Sequence, residues 1–221
     1  MSLPSGFTLS SVPADLGVGR TLQSIESAAI QDGPDRALSD LLWPGQSRTD
    51  DEDEDPFHTV EMLSDPVNTY LWIRDEQIKV PIAYAWSQRA PKRSEVEWAE
   101  AYANRHRPPG MNTALMDATS GTRFLKRAKI LGSTDSLILK ELYVRPEYQR
   151  RGLGGALVGH MVQRADQLGL PAYLESSTVG YSLYTRYGFK EIDRVIVNLA
   201  AWGGANGEVN KYVLMLRPNG A

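Results

Sequence analysis

Two hydrophobic periods alternate along the chain. Residues 7–12, PheThrLeuSerSerVal, alternate as a short first strand, after which Pro13, Ala14 and Asp15 open a helical segment. In that segment Leu22, Ile25, Ala28 and Ala29 are spaced for one buried face. A shorter helix over 35–42 ends at Pro44-Gly45, and tyrosine-, tryptophan- and branched-rich runs over 69–74 and 80–86 read as strands. Residues 90–110 form an excursion. Ser94 and Glu97 fit a capping box, Trp98 and Tyr102 share a face, and Arg105, His106 and Arg107 suit a helix C-terminus before Pro108-Pro109-Gly110. That shared face packs on the domain or closes as a lid over a pocket. The pattern continues with a helix over 112–129, a strand over 136–144, a helix over 152–168 and a strand over 172–176. A helix over 181–187 and strands over 189–199 and 209–217 complete it. Helices alternating with strands define an α/β layer architecture.

Composition narrows the chemistry. The 221 residues are 42% hydrophobic and 23% charged, with a net charge of −3, which gives no electrostatic case for nucleic acid or an anionic membrane. There is no cysteine, so disulfides, thiolate metal sites and cysteine nucleophiles are excluded. The three histidines, His58, His106 and His160, show no ligand spacing, and no metal is expected. The first residues lack a basic region followed by an apolar run, and no window has the length of a membrane span. A cytoplasmic location is therefore expected. The run ThrAspAspGluAspGluAsp, 49–55, reads as a solvated loop, or as an acidic rim that attracts a cationic substrate.

The most informative segment is VRPEYQRRGLGGALVGHM, 144–161. A dinucleotide fingerprint fails because Leu157 stands where the third glycine belongs, and a P-loop fails because His160-Met161 replace Lys-Ser or Lys-Thr. What remains is Gln149-x-x-Gly152-x-Gly154 between a strand and a helix whose apolar stripe is Leu153, Leu157, Met161, Ala165 and Leu168. The first turn of such a helix presents unpaired backbone N–H groups and favours an anion, and glycines let it come close. A turn built of glycine for tight packing alone explains the same spacing.

Three blocks in order carry a resemblance. Residues 142–157, LeuTyrValArgProGluTyrGlnArgArgGlyLeuGlyGlyAlaLeu, resemble the coenzyme-A-binding motif of the GNAT superfamily of acyl-CoA-dependent N-acetyltransferases. AlaTyrLeuGluSerSer, 172–177, is similar to that family's fifth strand. SerLeuTyrThrArgTyrGlyPhe, 182–189, is similar to its next helix. The likeness is strongest over 136–195, and ProIleAlaTyrAlaTrp, 81–86, is more weakly similar to the third strand. The resemblance implies a single α/β (α+β) domain over 1–221, with 49–55 and 90–110 as insertions. Its sheet is mixed, mostly antiparallel, with six to seven strands flanked by helices around a β–α CoA-binding core.

It also implies roles. The backbone of Leu142, Tyr143 and Val144 pairs with the pantetheine arm of acetyl-CoA. Gln149, Arg150, Arg151, Gly152, Leu153, Gly154 and Gly155 cradle the pyrophosphate, and Ser176 and Tyr187 belong to the same cofactor site. Tyr184 matches the family's acid tyrosine, which protonates the leaving thiolate; the other reading of this side chain is a core aromatic. Glu141 is the expected base. Strict alternation along 136–144 puts it in a row with Leu137, Leu139 and Tyr143, where a carboxylate is costly unless paired or functional, while Lys140 shares the other row with Ile138, Leu142 and Val144. Some relatives place the base one position earlier, where this chain has Lys140, and Glu175 is the reserve candidate. Without cysteine, direct attack in a ternary complex is the simple mechanism. The implied acceptor is a primary amine of a small molecule. Acetylation of a protein N-terminus or lysine, and a non-catalytic acyl-CoA-binding regulatory module, are the alternatives.

Overall fold

The computed structural model describes residues 3–31, 33–44, 58–105, 107 and 109–220. The acidic run 49–55 and His106 lie outside the described residues. Among the described residues seven strands form one sheet: β1 (Phe7–Ser11), β2 (Asn68–Asp75), β3 (Val80–Ala90), β4 (Ser136–Val144), β5 (Ala172–Ser177), β6 (Lys190–Asn198) and β7 (Val209–Arg217). Their spatial order is β1-β2-β3-β4-β5-β7-β6, and only the β4–β5 pair is parallel. The helices are α1 (Val18–Gln31), α2 (Arg36–Leu42), α3 (Val60–Ser64), α4 (Glu95–Ala103), α5 (Thr113–Met116), α6 (Thr122–Leu131), α7 (Leu153–Leu168) and α8 (Tyr181–Thr185). This is the mixed, mostly antiparallel α/β architecture that the resemblance implies.

Side-chain alternation divides the core between the two sheet faces. Leu71, Ala83, Ala85, Leu137, Leu139 and Leu174 meet α7 through Leu153, Leu157, Met161 and Ala165. The predicted stripe is correct except at its end, where Leu168 is exposed in the last turn. On the opposite face Leu22 and Ile25 of α1 pack on Tyr70, Trp72, Tyr84 and Trp86. Further along that face Trp98, Phe124 and Leu131 pack on Ile138, Tyr173 and Leu214.

The 90–110 excursion is fixed to the domain. Ser94 and Glu97 form the reciprocal capping box, and Trp98 Nε1 donates to the Gly132 carbonyl at 3.0 Å. Trp98 and Tyr102 both pack on Phe124, at centroid distances of 5.5 and 5.8 Å. The single helix expected over 112–129 is broken in two by a π turn, Asp117–Gly121, in which Thr122 N–H reaches back to Asp117 C=O. Asp117 in that turn pairs with Arg105 and Arg107.

Two irregularities place the site. First, β3 and β4 slip register between Trp86 and Ser87: Trp86 faces Glu141 and Ser87 faces Leu139, so Lys140 is an extra residue without a partner. Strict alternation along β4 therefore fails. Leu137, Leu139, Leu142 and Val144 all join the α7 side, while Ile138, Glu141 and Tyr143 face the other. Second, β4 and β5 pair only from Leu137↔Ala172 to Leu139↔Leu174, and then separate. The pairing stops where the bulge begins, leaving an open wedge between the strand ends.

Gly155 couples α7 to α8. A Cβ there would lie 3.0 Å from the Tyr187 hydroxyl, closer than side chains normally tolerate. Gly155→Ala is predicted to cost about 1 kcal/mol more in the wild-type background than alongside Tyr187→Phe, a coupling that urea denaturation of the double-mutant cycle measures.

Candidate active site

The bulge aims Glu141 into a cavity of about 580 Å³ on the face opposite α7. Its walls come from α1, α2, the π turn, α6, β4, β5, α8 and β7. Glu141 and Tyr184, predicted from separate blocks of sequence, both line it. Behind the cavity wall the Tyr84 hydroxyl donates to Glu141 Oε2 at 2.8 Å, and His58 Nε2 lies 3.3 Å from both that oxygen and the Tyr84 hydroxyl. His58 Nδ1 is 3.5 Å from the Tyr70 hydroxyl. One neutral tautomer fits this network: Nε2–H is shared between Glu141 and Tyr84, and Nδ1 accepts from Tyr70. Burial, followed by the charge of Glu141, raises the Tyr84 hydroxyl well above its usual range, so it remains a donor.

Sequence reasoning did not identify His58 and Tyr84. They lie 83 and 57 residues before Glu141, and nothing in their local patterns links them to it. Glu175, the reserve base, is committed elsewhere. Its oxygens lie 3.1 Å from Arg123 Nε and 3.5 Å from Arg127 Nη1, and the Tyr173 hydroxyl donates to it at 3.3 Å.

Tyr184 sits on α8 with its ring edge against Phe189. Burial, then the neighbouring Tyr212, raises its hydroxyl above the usual tyrosine range, so it stays protonated. Ser176 is buried in the adjacent strand, and its hydroxyl donates to the Ser177 carbonyl at 2.6 Å.

The glycine segment lies beyond the wedge. Arg145 N–H donates to Ile82 C=O, so Tyr143 and Arg145 direct their backbone groups at β3. By alternation Leu142 and Val144 direct theirs towards the wedge, where Gln149 Nε2 donates to Val144 C=O at 3.1 Å. The turn into α7 passes through Arg150 at φ 62° and Gly152 at φ 83°. Positive φ accounts for Gly152, the first glycine of the segment, and a Cβ there would meet nothing. A Cβ on Gly154 would make ordinary contact with Leu183 and Leu142, and one on Gly155 would press on Tyr187. Packing of α8 thus explains the first turn's lack of side chains at least as directly as a bound anion does. Ala156 N–H makes the first helical bond, to Gly152 C=O, and the N–H groups of Leu153, Gly154 and Gly155 precede it. Arg150 and Arg151 are exposed beside this turn, Arg151 lying over the Tyr148 ring at 5.0 Å and donating to Glu147 C=O. A strand edge opened by the wedge, leading to unpaired N–H groups at a helix N-terminus flanked by arginines, fits a pantetheine arm and a pyrophosphate. Among the described residues no cluster of side chains could hold a metal ion, and no helix is long and apolar enough to cross a membrane.

Split central strands and a glycine-rich turn opening the following helix are the arrangement that the resemblance implies. Residues 118–191 match the family model for the acetyltransferase (GNAT) domain. The matched stretch spans about a third of the chain and includes α6, β4, α7, β5 and α8. Solved structures agree in fold. The mosquito arylalkylamine N-acetyltransferase like 5b is similar at 14% identity and a TM-score of 0.64, over 96% of this chain and 99% of that one. The Drosophila melanogaster polyamine N-acetyltransferase is similar at 15% identity and 0.58, over 95% and 98%. The Escherichia coli ribosomal-protein-S18-alanine N-acetyltransferase is similar at 16% identity and 0.51, over 97% and 96%. No curated protein matches the sequence significantly.

Lys140, the bulge residue, points into the same cavity, its Nζ 5.4 Å from the Trp86 ring centre. Burial first, and then the Arg127 charge, push it down from 10.5 to about 8. Between those values the unfolded chain binds a proton that the folded chain does not, so stability should rise with pH there. Below about pH 8 the full penalty applies. Lys140→Met should therefore stabilise the protein at pH 7 by about 1–3 kcal/mol, the gain shrinking as pH rises from 8 towards 10.5; melting temperatures across that range test this.

Proposed function

We propose that this protein is an N-acetyltransferase that moves an acetyl group from acetyl-CoA to the primary amine of a small molecule. The observation that carries this is the convergence of Glu141 and Tyr184 on one cavity, beside a wedge in β4–β5 that leads to the α7 N-terminus. When bound, acetyl-CoA supplies an activated acyl carbon and a thiolate leaving group.

The chain's own groups then have two proton tasks. An alkylamine near pKa ~10.4 is protonated at pH 7, and freeing its lone pair costs about 4–5 kcal/mol. Glu141 receives that proton. Tyr84 and His58 both hold Oε2, which fixes the carboxylate and leaves Oε1 to turn to the amine. Tyr184 provides the second transfer, as a donor to the departing sulfur. Because its hydroxyl is held above the usual range, a full proton transfer to a thiolate of ~8.5 is uphill. The donor role is thus a hydrogen bond that strengthens as charge develops on sulfur, in a site from which burial excludes water. Arrangement of amine and thioester across the bulge supplies the rest of the rate.

The small-molecule reading is supported by the cavity itself, which α1, α2 and the π turn wall on several sides. The likeness in fold to the polyamine N-acetyltransferase fits the same reading, and that to the ribosomal-protein-S18-alanine N-acetyltransferase fits the alternative of a protein acceptor. A release assay for free thiol, run with acetyl-CoA and a panel of amines and peptides, tests it. Tyr184→Phe should lower kcat about 10- to 100-fold with CoA affinity changed less than about twofold, and Glu141→Gln should lower kcat about 100-fold or more. Unchanged turnover in Tyr184→Phe removes the donor role. CoA binding with no thiol release across the panel favours a non-catalytic module.

A further inference from the structure

The cavity wall beside Glu141 gathers three cationic side chains in one place, Arg123, Arg127 and Lys140. Arg123 and Arg127 lie one turn apart on α6, so both project from the same helix face, and each side chain is only 13% or 12% exposed. They share a single carboxylate, Glu175. Lys140 adds a third cation beside them, and among the described residues it makes no ion pair. Glu141 and Glu175 act on Lys140, and Asp35 on Arg123, yet among the described residues Glu175 is the only carboxylate in an ion pair with any of the three cations.

The hydrogen bonds are unbalanced in the same sense. Arg123 Nε faces Glu175 Oε2 at 3.1 Å, whereas Arg123 Nη1 and Arg127 Nε are buried without a hydrogen-bond partner. Orphaned Nε atoms recur at Arg74, Arg105, Arg145 and Arg164, so it is Arg123 Nη1, a terminal donor without an acceptor on a residue of the cavity wall, that points to a group arriving from outside. Arg123 is also held in place. Its guanidinium lies 3.8 Å from the Tyr212 ring centre, and its Nη2 donates to Ser120 Oγ at 2.9 Å. A fixed planar fork with unused N–H groups complements a carboxylate.

Its position identifies the molecule that brings the anion. The α7 N-terminus, where the pyrophosphate fits, serves the other face of the sheet, whereas Arg123, Arg127 and Lys140 line the cavity with Glu141. Glu26 and Asp35 line the same cavity, Asp35 accepting from Asn210 at 3.2 Å and lying near enough to act on Arg123. Cationic and anionic side chains together line it, which suits a molecule with both charges.

We infer that the acetyl acceptor carries a carboxylate close to its amine, as an amino acid does, and that Arg123 and Arg127, with Lys140 beside them, bind it. Lys140 adjoins Glu141 in β4, so the cationic wall begins one residue from the carboxylate that faces the amine, and few bonds can separate the two groups of the acceptor. This rests on the acetyltransferase reading above and narrows its substrate class.

Matched pairs test it: lysine and cadaverine, ornithine and putrescine, phenylalanine and phenethylamine, β-alanine and ethylamine, each assayed with acetyl-CoA by thiol release. The best acceptor should be a carboxylate-bearing member, with kcat/KM at least about tenfold above its decarboxylated partner. Arg123→Gln should collapse that ratio about tenfold or more, mainly through KM. Arg127→Gln gives a second variant should the first fold poorly, with melting temperature and acetyl-CoA affinity as checks on folding. A decarboxylated partner that is equal or better in the wild-type protein overturns the inference, as does an equal loss on both members of each pair in the variants. Succinyl-CoA provides the remaining arm: if Arg123→Gln alters the choice between succinyl- and acetyl-CoA but not the choice between paired acceptors, the carboxylate belongs to the acyl chain and the inference fails. If no acceptor releases thiol, the acetyltransferase reading falls. The melting-temperature shifts produced by the same pairs, wild type against Arg123→Gln, then decide the carboxylate site independently.

Discussion

The single unmatched residue in β4 is the constraint on which the rest of the site depends. With Lys140 inserted opposite Trp86 and Ser87, the strand changes phase, and Glu141 moves from the row that faces α7 to the row that faces the cavity. The same point ends the pairing of β4 with β5, so a backbone edge that would otherwise be satisfied within the sheet is left open. A bulge costs one pair of ladder bonds, and here it produces two results at once. It turns a carboxylate towards the substrate side and parts two strands on the cofactor side. Without the slip, Glu141 would have pointed into an apolar helix interface, where an unpaired carboxylate is strongly disfavoured.

Around that carboxylate the protein has built a fixed polar group inside an aromatic cluster. Tyr70, Tyr84 and Trp86 belong to the buried packing between α1 and the sheet, and His58 meets all three rings at right angles. The packing holds the rings, and the rings hold the hydrogen-bonding atoms. Glu141 thus gains its orientation from side chains whose first task is to form a core. The opposite arrangement obtains at Lys140, Arg123 and Arg127, where charges lie in a poorly solvated wall with too few partners. That wall weakens the empty protein, and an anionic ligand would remove the penalty. Such local loss of stability is characteristic of binding sites.

At the glycine turn two physical demands coincide. Gly152 is needed for a positive φ, and Gly155 for the approach of Tyr187 from α8. Neither demand requires a ligand, yet both leave the helix N-terminus bare. The helix that packs closest to the turn therefore also clears the space in front of its N–H groups. For this reason spacing alone could not separate packing from anion binding, and the surrounding geometry was required.

Local patterns in the sequence were enough to determine the order of the strands and of most helices, though not α3 or the break in the 112–129 helix, together with the capping box at Ser94, most of the α7 stripe and the turn at Gly152, because each depends on residues close together in the chain. They also singled out Glu141 and Tyr184, through the short blocks in which those residues stand. What they could not supply was the phase of β4. Alternation was a sound rule for a regular strand, and the slip is set by how β3 pairs across from it. Nor could they supply His58 and Tyr84 beside Glu141, the diversion of Glu175 to Arg123 and Arg127, or the charge imbalance around Lys140. Those contacts join residues tens of positions apart, whose distances are fixed only when helices pack on both faces of the sheet. The sequence by itself determined which chemical groups were present and the class of turn that could hold a cofactor; only the tertiary structure decided which charges would be neutralised, because neutralisation depends on separations of a few ångströms that no local pattern encodes.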